Sequence, residues 1–361
     1  AIHKIKGNDV NFKPKEFLAR VESAFMIVQN SWSTGNLIPM RPFSSDGVYE
    51  RFSIQLEDLK AQKLKNKLSD IKIQSCKIYS HDIDGKYEST TVELSASMKD
   101  EYLNEKGKTV KSSPAEFTEY WTFTRFVGVK TKNTKGLLEG CCPECTVPVV
   151  MNQHAKCPAC NVILRSGEFD WVLTEITQEV SDTDSEISFD EIENVRQKDP
   201  YFSVQLLEDH ASVIFWRMMT TRRTKNLKVL ESVAQSDLCQ TIADLPVRTD
   251  IGVGSVELTG FERMPNQLVA KIHVKWMAKT NPKEPSERFA SDMVLIRRDN
   301  AQSELQNKMG SLHCKSCGLA VGDVVDSNCS GCGTTIKDEG RQWILAGWET
   351  LKSTSIESKA A

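Results

Sequence analysis

The sequence predicts an α+β protein made of two tandem copies of one domain, each a curved antiparallel sheet packed on a helical hairpin with an inserted zinc ribbon. Three observations predict it. A four-cysteine module occurs twice on one ruler: C-P-E-C from Cys142, eleven residues, C-P-A-C from Cys157, ten residues, Trp171; then C-K-S-C from Cys314, eleven residues, C-S-G-C from Cys329, ten residues, Trp343. Asp9–Phe12 (D-V-N-F) is matched by Asp199–Phe202 (D-P-Y-F), and the gapless pairing that follows sets Phe17 on Leu207, Val21 on Ala211, Phe25 on Phe215, Val48 on Leu238 and Phe52 on Ile242. Within the first copy, helical apolar spacing comes first and strand-like alternation follows, the order of an α+β domain.

The elements follow in order. Phe17, Val21, Phe25, Val28 and Trp32 recur at helical spacing, and Gly35-Asn36 closes that helix. Pro39 and Pro42 mark a bend, and Ser44, Ser45 and Asp46 offer N-caps for a second helix with Val48, Phe52, Leu56, Leu59 and Leu64 on one stripe. Strands are expected over 71–81, with Ile78 out of phase, then over 90–98, 117–127 and 167–176, with a hairpin turn at Asp84-Gly85. The cysteine module interrupts the last two. The acid-rich stretch 179–198 has the composition of a solvated linker. Strands of the second copy are expected near 251–261, 268–277, 290–297 and 342–348. This gives a first domain over 9–178 with its ribbon at 141–165, and a second, divergent domain over 199–350 with its ribbon at 313–336.

Two C-x2-C turns place four thiolates around one tetrahedral metal and leave no open coordination position. Cys142, Cys145, Cys157 and Cys160 are the expected ligands of one structural zinc ion, and Cys314, Cys317, Cys329 and Cys332 of a second. Cys141 is an alternative first ligand, and His313 stands at its counterpart in the second copy. Of eleven cysteines, the eight in pairs point to metal thiolate rather than a disulfide framework, which suits a reducing, cytoplasmic compartment.

The balance of 39% hydrophobic and 26% charged residues is that of a globular protein. A net charge of −3 argues against a nucleic-acid binder. No apolar run reaches the length of a membrane span, and the charged start, Ala-Ile-His-Lys-Ile-Lys, does not resemble a secretory signal.

The stretch Phe17–Phe52, with Arg41-Pro42 and Tyr49-x-x-Phe52, together with Asp70–Ile73 and Asp170–Ile176, resembles the domain shared with the C-terminal half of the inner-mitochondrial-membrane translocase subunit 44. The zinc module resembles bacterial members. The second copy departs from the pattern: Glu231 and Ser232 replace the Arg-Pro pair and Met219 replaces Gln29. The resemblance implies a fold similar to nuclear transport factor two and cystatin, with a cup able to hold an apolar pocket. It also implies a tether or adaptor role at a membrane, and a place on the cytoplasmic side of the inner membrane, held by a segment outside this chain.

Three function classes follow. The leading one is a non-catalytic adaptor with an unknown protein partner and an anionic membrane surface as partners. Lys63, Lys65 and Lys67, within the stretch 60–72, and Arg222, Arg223 and Lys225, within 217–228, are the candidate basic faces. The second is an enzyme or small-ligand binder using the cup, with His81, His210, His273 and Asp170 as candidates by residue type. The third, nucleic-acid binding through the ribbons, is disfavoured because the first ribbon carries little basic charge and neither carries stacking aromatics.

Overall fold

The computed structural model describes residues 1–149, 157–162, 164, 166–178, 189–281, 284–303, 333 and 343–355. The chain forms two compact units, the first over Ala1–Ile176 and the second beginning at Thr177.

The first unit opens with helix α1 (Ile2–Asn8), which buries Ile5. Helix α2 (Pro14–Thr34) starts on a proline, whose missing N–H costs nothing at that position, and ends where Gly35 takes φ 71°, a left-handed cap. Its stripe of Phe17, Val21, Phe25 and Val28 is buried as the spacing requires. Helix α3 (Asp46–Ala61) is capped by Ser45, whose hydroxyl accepts from Val48 N at 3.0 Å. Leu64 falls outside α3 and begins the sheet.

Strands β1 (Leu64–Asp84), β2 (Tyr87–Asn104), β3 (Thr109–Phe126) and β4 (Val172–Thr177) form one sheet in sequence order, with antiparallel pairing between β1, β2 and β3. The first three are much longer than the alternation predicts. In β1 the cause is visible: register shifts between Ser69 and Lys72, Ile73 and Ser75, and Ile78 and Ser80 each reset which face a side chain takes. Ile78 is therefore in phase with the core although it is out of phase in the sequence. One face of the sheet carries Val92, Leu94, Ala96, Trp121 and Phe123 into a core shared with Phe17, Phe25 and Val28 of α2. Leu173 of β4 is held on its free side by a parallel bridge to Ser44.

The second unit corrects the reading of 179–198. From Phe189 the chain forms helix α4 (Phe189–Lys198), whose Ile192 and Val195 are buried, so a linker described by composition alone ends well before Asp199. Acidic residues occupy one side of this helix and apolar ones the other, a pattern that bulk composition averages away. Helices α5 (Val204–Thr224), α6 (Lys228–Glu231) and α7 (Ser236–Asp244) follow. The sheet then runs β5 (Thr249–Met264), β6 (Gln267–Lys279), β7 (Glu287–Arg298) and β8 (Ile344–Ser355), again antiparallel and in sequence order. β5 carries three shifts, between Thr249 and Gly252, Val253 and Ser255, and Leu258 and Gly260, at the spacing found in β1. Asp70 and Asp250 both take positive φ, 54° and 52°, at the first of them. The bridge of Ser44 to Leu173 also has its match, Ala234 to Leu345.

Candidate metal centre

Between β3 and β4, the sulfurs of Cys142, Cys145, Cys157 and Cys160 all lie within 4.8 Å of one another. Cys142 Sγ is 3.7 Å from Cys160 Sγ, and Cys145 Sγ is 3.6 Å from Cys157 Sγ. Two matching turns build the cluster. Thr146 N donates to Cys142 O at 2.8 Å and Asn161 N to Cys157 O at 2.9 Å, and both turn residues take φ 60°. Cys142 N and Cys157 N each donate 2.9 Å bonds that close the turns, to Val147 O and Val162 O. Cys142 and Cys157 are fully buried and join the core with Leu137, Leu164 and Trp171.

Burial pushes the Cys142 thiol up to about 12. Burial also opposes a thiolate at Cys157, but backbone N–H groups of Cys160 and Ala159 and the neighbouring thiols bring it down to about 7. A donor set of four sulfurs within 4.8 Å of one another fits a thiolate-binding metal ion, and a divalent cation is what lets four thiolates share one small volume. Cys141 stands outside the cluster, with its Sγ directed to Glu139 O at 3.6 Å, so the alternative first ligand is not the one brought into place. Cys314, Cys317, Cys329 and Cys332 lie outside the described residues, as does the bulk of the second ribbon.

The module is tied to α2 by Arg20. This guanidinium donates to both oxygens of Asp170 at 2.9 and 2.6 Å and lies 3.6 Å from Glu139. Burial works against its charge, but Asp170 and Glu139 more than offset that and raise its pKa. Asp170, a catalytic candidate by residue type, is thus a bidentate structural partner and also accepts from Trp171 N at 2.8 Å.

A second cluster joins landmarks that the sequence shows separately. Arg125 Nη1 donates to Asp9 Oδ2 at 3.1 Å and Nε to Glu88 Oε1 at 2.6 Å, with its guanidinium 4.0 Å above the Trp171 ring. Thr131 N also donates to Asp9 at 2.9 Å. His81 is buried beside them, with Nδ1 2.9 Å from Thr90 Oγ1 and Nε2 3.7 Å from Glu88. Burial is the main cause that lowers the His81 pKa, although Glu88 and Asp82 pull it the other way. In the second unit Arg297 Nη2 donates to Asp199 at 2.9 Å, Ser303 N donates to the same carboxylate, and Trp343 lies 5.1 Å below Arg297. The strand partner of Arg125 is Glu88, whereas that of Arg297 is Leu268.

The remaining candidates are dispersed. His210 Nε2 is 2.8 Å from Trp343 O, and His273 Nδ1 is 2.8 Å from Asp292 on the sheet surface. The sequence reading missed Glu119. On the apolar face of β3, it accepts from Trp121 Nε1 at 2.9 Å, and burial pushes its pKa up to about 7. Its place among Phe117, Trp121 and Phe123 at period two is the signal that identifies it as inward-facing.

The basic stretches divide. Lys63, Lys65 and Lys67 are exposed. Arg217 and Arg222 are buried, Arg217 on Ser232 Oγ and Arg222 on Pro246 O, which takes these two out of the expected basic face, while Arg223 is half-buried and Lys225 exposed. Among the described residues, no helix is long and apolar enough to cross a membrane.

A comparison with solved structures returns an Ntf2 like protein involved in plasmid conjugation, at 8% identity and TM-score 0.20, covering 92% of this chain and 100% of that chain. Curated proteins give no match. Residues 1–135 match the family model described as the Tim44-like domain. That match spans α1, α2, α3 and the strands through β3, so it is the helical hairpin and the long part of the first sheet that are similar to a Tim44-like domain.

Proposed function

We propose that this protein is a non-catalytic binding module, a membrane-associated adaptor whose two related domains each hold one structural zinc ion. The observation that carries this reading is the four-sulfur cluster, whose sulfurs lie within 4.8 Å of one another and whose Cys142 and Cys157 are built into the core of the first unit. Such a site keeps no position for water or substrate, and its energetic role is to fasten a segment too small to bury a core of its own. The reading extends the same role to Cys314, Cys317, Cys329 and Cys332. It takes the three matching register shifts and the matching Asp–Arg pairs as support for tandem copies.

The partner side of the reading rests on the Tim44-like match and on the exposed Lys63, Lys65 and Lys67. The domain would work on the cytoplasmic side of an inner membrane and join a protein partner to that surface. The test is twofold. Metal analysis of the purified chain gives two zinc ions per chain, and one or none overturns the paired assignment. Flotation with anionic vesicles at low salt gives bound protein that Lys63, Lys65 and Lys67 changed together to Gln release, and absence of binding overturns the membrane part.

A further inference from the structure

A cavity of about 440 Å³ opens in the first unit between the start of α2, the loop that follows β3, and Trp171 just before β4. Its inner wall is aromatic. Phe12, Phe17 and Trp171 line it, each more than nine-tenths buried, with ring centroids 5.3 Å apart for Phe12 and Phe17 and 5.5 Å apart for Phe17 and Trp171. Exposed Lys13 and Lys132 and half-buried Arg20 line it as well. The volume is that of a small-molecule site, and so is the combination of aromatic surface with a few polar groups.

The donors of this wall are not all used. Trp171 Nε1 is buried and has no partner among the described residues, a state that costs free energy until an acceptor arrives. Lys13 Nζ donates to Glu16 at 2.9 Å and to Asn133 Oδ1 at 3.3 Å, and Lys132 Nζ donates to Glu144 at 2.7 Å and to Pro143 O at 3.1 Å. An ammonium carries three N–H donors, so one is left on each lysine. Lys13 is also the N-cap of α2 and offers its first turn no side-chain bond, which leaves the positive end of a 21-residue helix uncapped at the cavity. The acids of the wall are already engaged. Glu16 is paired with Lys13, and Glu139 accepts from Gly136 N at 2.7 Å and lies 3.6 Å from Arg20.

The second unit treats the same positions differently. The pairing that sets Phe17 on Leu207 sets Lys13, Glu16 and Arg20 on Ser203, Leu206 and His210. There Ser203 caps α5 by accepting from Leu206 N at 3.2 Å, and His210 Nε2 lies 2.8 Å from Trp343 O. A helix start that a hydroxyl closes in one unit is thus open and cationic in the other. Giving up a stabilising cap is a local rule broken, and such breaks are expected at functional sites. Aromatic rings on the inside and unspent donors at a helix N-terminus suit an apolar body that carries one carboxylate.

We propose that this cavity binds a small organic acid. Its aromatic or aliphatic body lies on Phe12, Phe17 and Trp171, and its carboxylate accepts from Lys13 and the start of α2, with Trp171 Nε1 as the inner donor. The test is calorimetric titration of the full chain with phenylacetate and octanoate, each beside its uncharged amide. At least one acid binds with a Kd of about 1 mM or tighter, and its amide binds about tenfold more weakly. Lys13→Ser installs the cap that the second unit uses, so its Tm is at or above the wild-type value while its Kd for the acid rises about tenfold. Trp171→Phe keeps a ring, removes the donor and raises the Kd about fivefold. Absence of binding by both acids at about 10 mM, equal binding of acid and amide, or binding indifferent to either variant overturns the site.

Discussion

Arg125 donates to Glu88 at 2.6 Å inside the first unit, across the same β-ladder position at which Arg297 of the second unit faces Leu268. With Asp9 also bound to Arg125, two carboxylates share one guanidinium, whereas among the described residues Arg297 is ion-paired with Asp199 alone. Arg125→Met therefore strands two buried carboxylates, and Arg297→Met strands one. Losing one partner of a buried pair costs about 3–5 kcal/mol. Urea unfolding is expected to show the larger loss for Arg125→Met. Equal losses would mean that Glu88 does not depend on Arg125.

The same cluster sets an acid limit. Burial lowers the His81 pKa below its ordinary value, so the unfolded chain takes up that proton first as pH falls. The contribution of His81 is complete above about pH 6.5, the unfolded value, and is lost as pH falls through the lower folded value. Replacing the pair with the residues the second unit uses, His81→Phe with Glu88→Leu, is expected to flatten stability against pH between about 5 and 7. An unchanged slope in that window would assign it to other groups.

Glu119 has the opposite sign. Burial raises its pKa to about 7, so its contribution is fully present below its unfolded value and is lost as pH rises through the folded one. Glu119→Gln keeps an acceptor for Trp121 Nε1 and removes the ionisation. The variant is expected to gain stability over wild type at pH 8 and to differ little at pH 5, as read by melting temperature.

At the metal centre, Cys142→Ser is expected to lower zinc content by one ion per chain, while Cys141→Ser leaves it unchanged, since only the former joins the four-sulfur cluster. Mass spectrometry under native conditions reads both. Loss of the ion from Cys141→Ser would exchange the two assignments.

Gly136 supplies a steric test of the tie between α2 and the module. A Cβ there would lie 2.6 Å from Asp170 Oδ2 and 3.3 Å from Arg20 Nη2. Gly136→Ala is expected to cost about 1–3 kcal/mol by prising the bidentate pair apart. Arg20→Met as background removes most of that penalty in a double-mutant cycle.

Much of this was legible in the sequence because it is periodic. The α2 stripe, the cap at Ser45 and the ruler of the cysteine turns each follow from local rules. What was not legible depends on partners far apart in the chain. Asp9 and Asp199 were visible as landmarks, but only the sheet brings each acid to its arginine, Arg125 or Arg297. The length of β1 was hidden because each register shift breaks the period on which strand recognition rests. Helix α4 was hidden because its few apolar residues, Ile192 and Val195 among them, are diluted by acids that face solvent. The burial of Arg217 and Arg222 was hidden because charge in a sequence carries no sign of which carbonyl will receive it.

The three shifts in β1 and β5 also govern how each strand tolerates errors. A strand with unbroken alternation transmits a one-residue deletion to every later side chain, turning its whole inner face outward. In β1 the alternation is re-zeroed at three places between Ser69 and Ser80, and a bulge can absorb or release one residue. A deletion there misplaces only the few side chains up to the next bulge. Each long first strand is thus punctuated into short independent phrases, and damage to one leaves the others in frame.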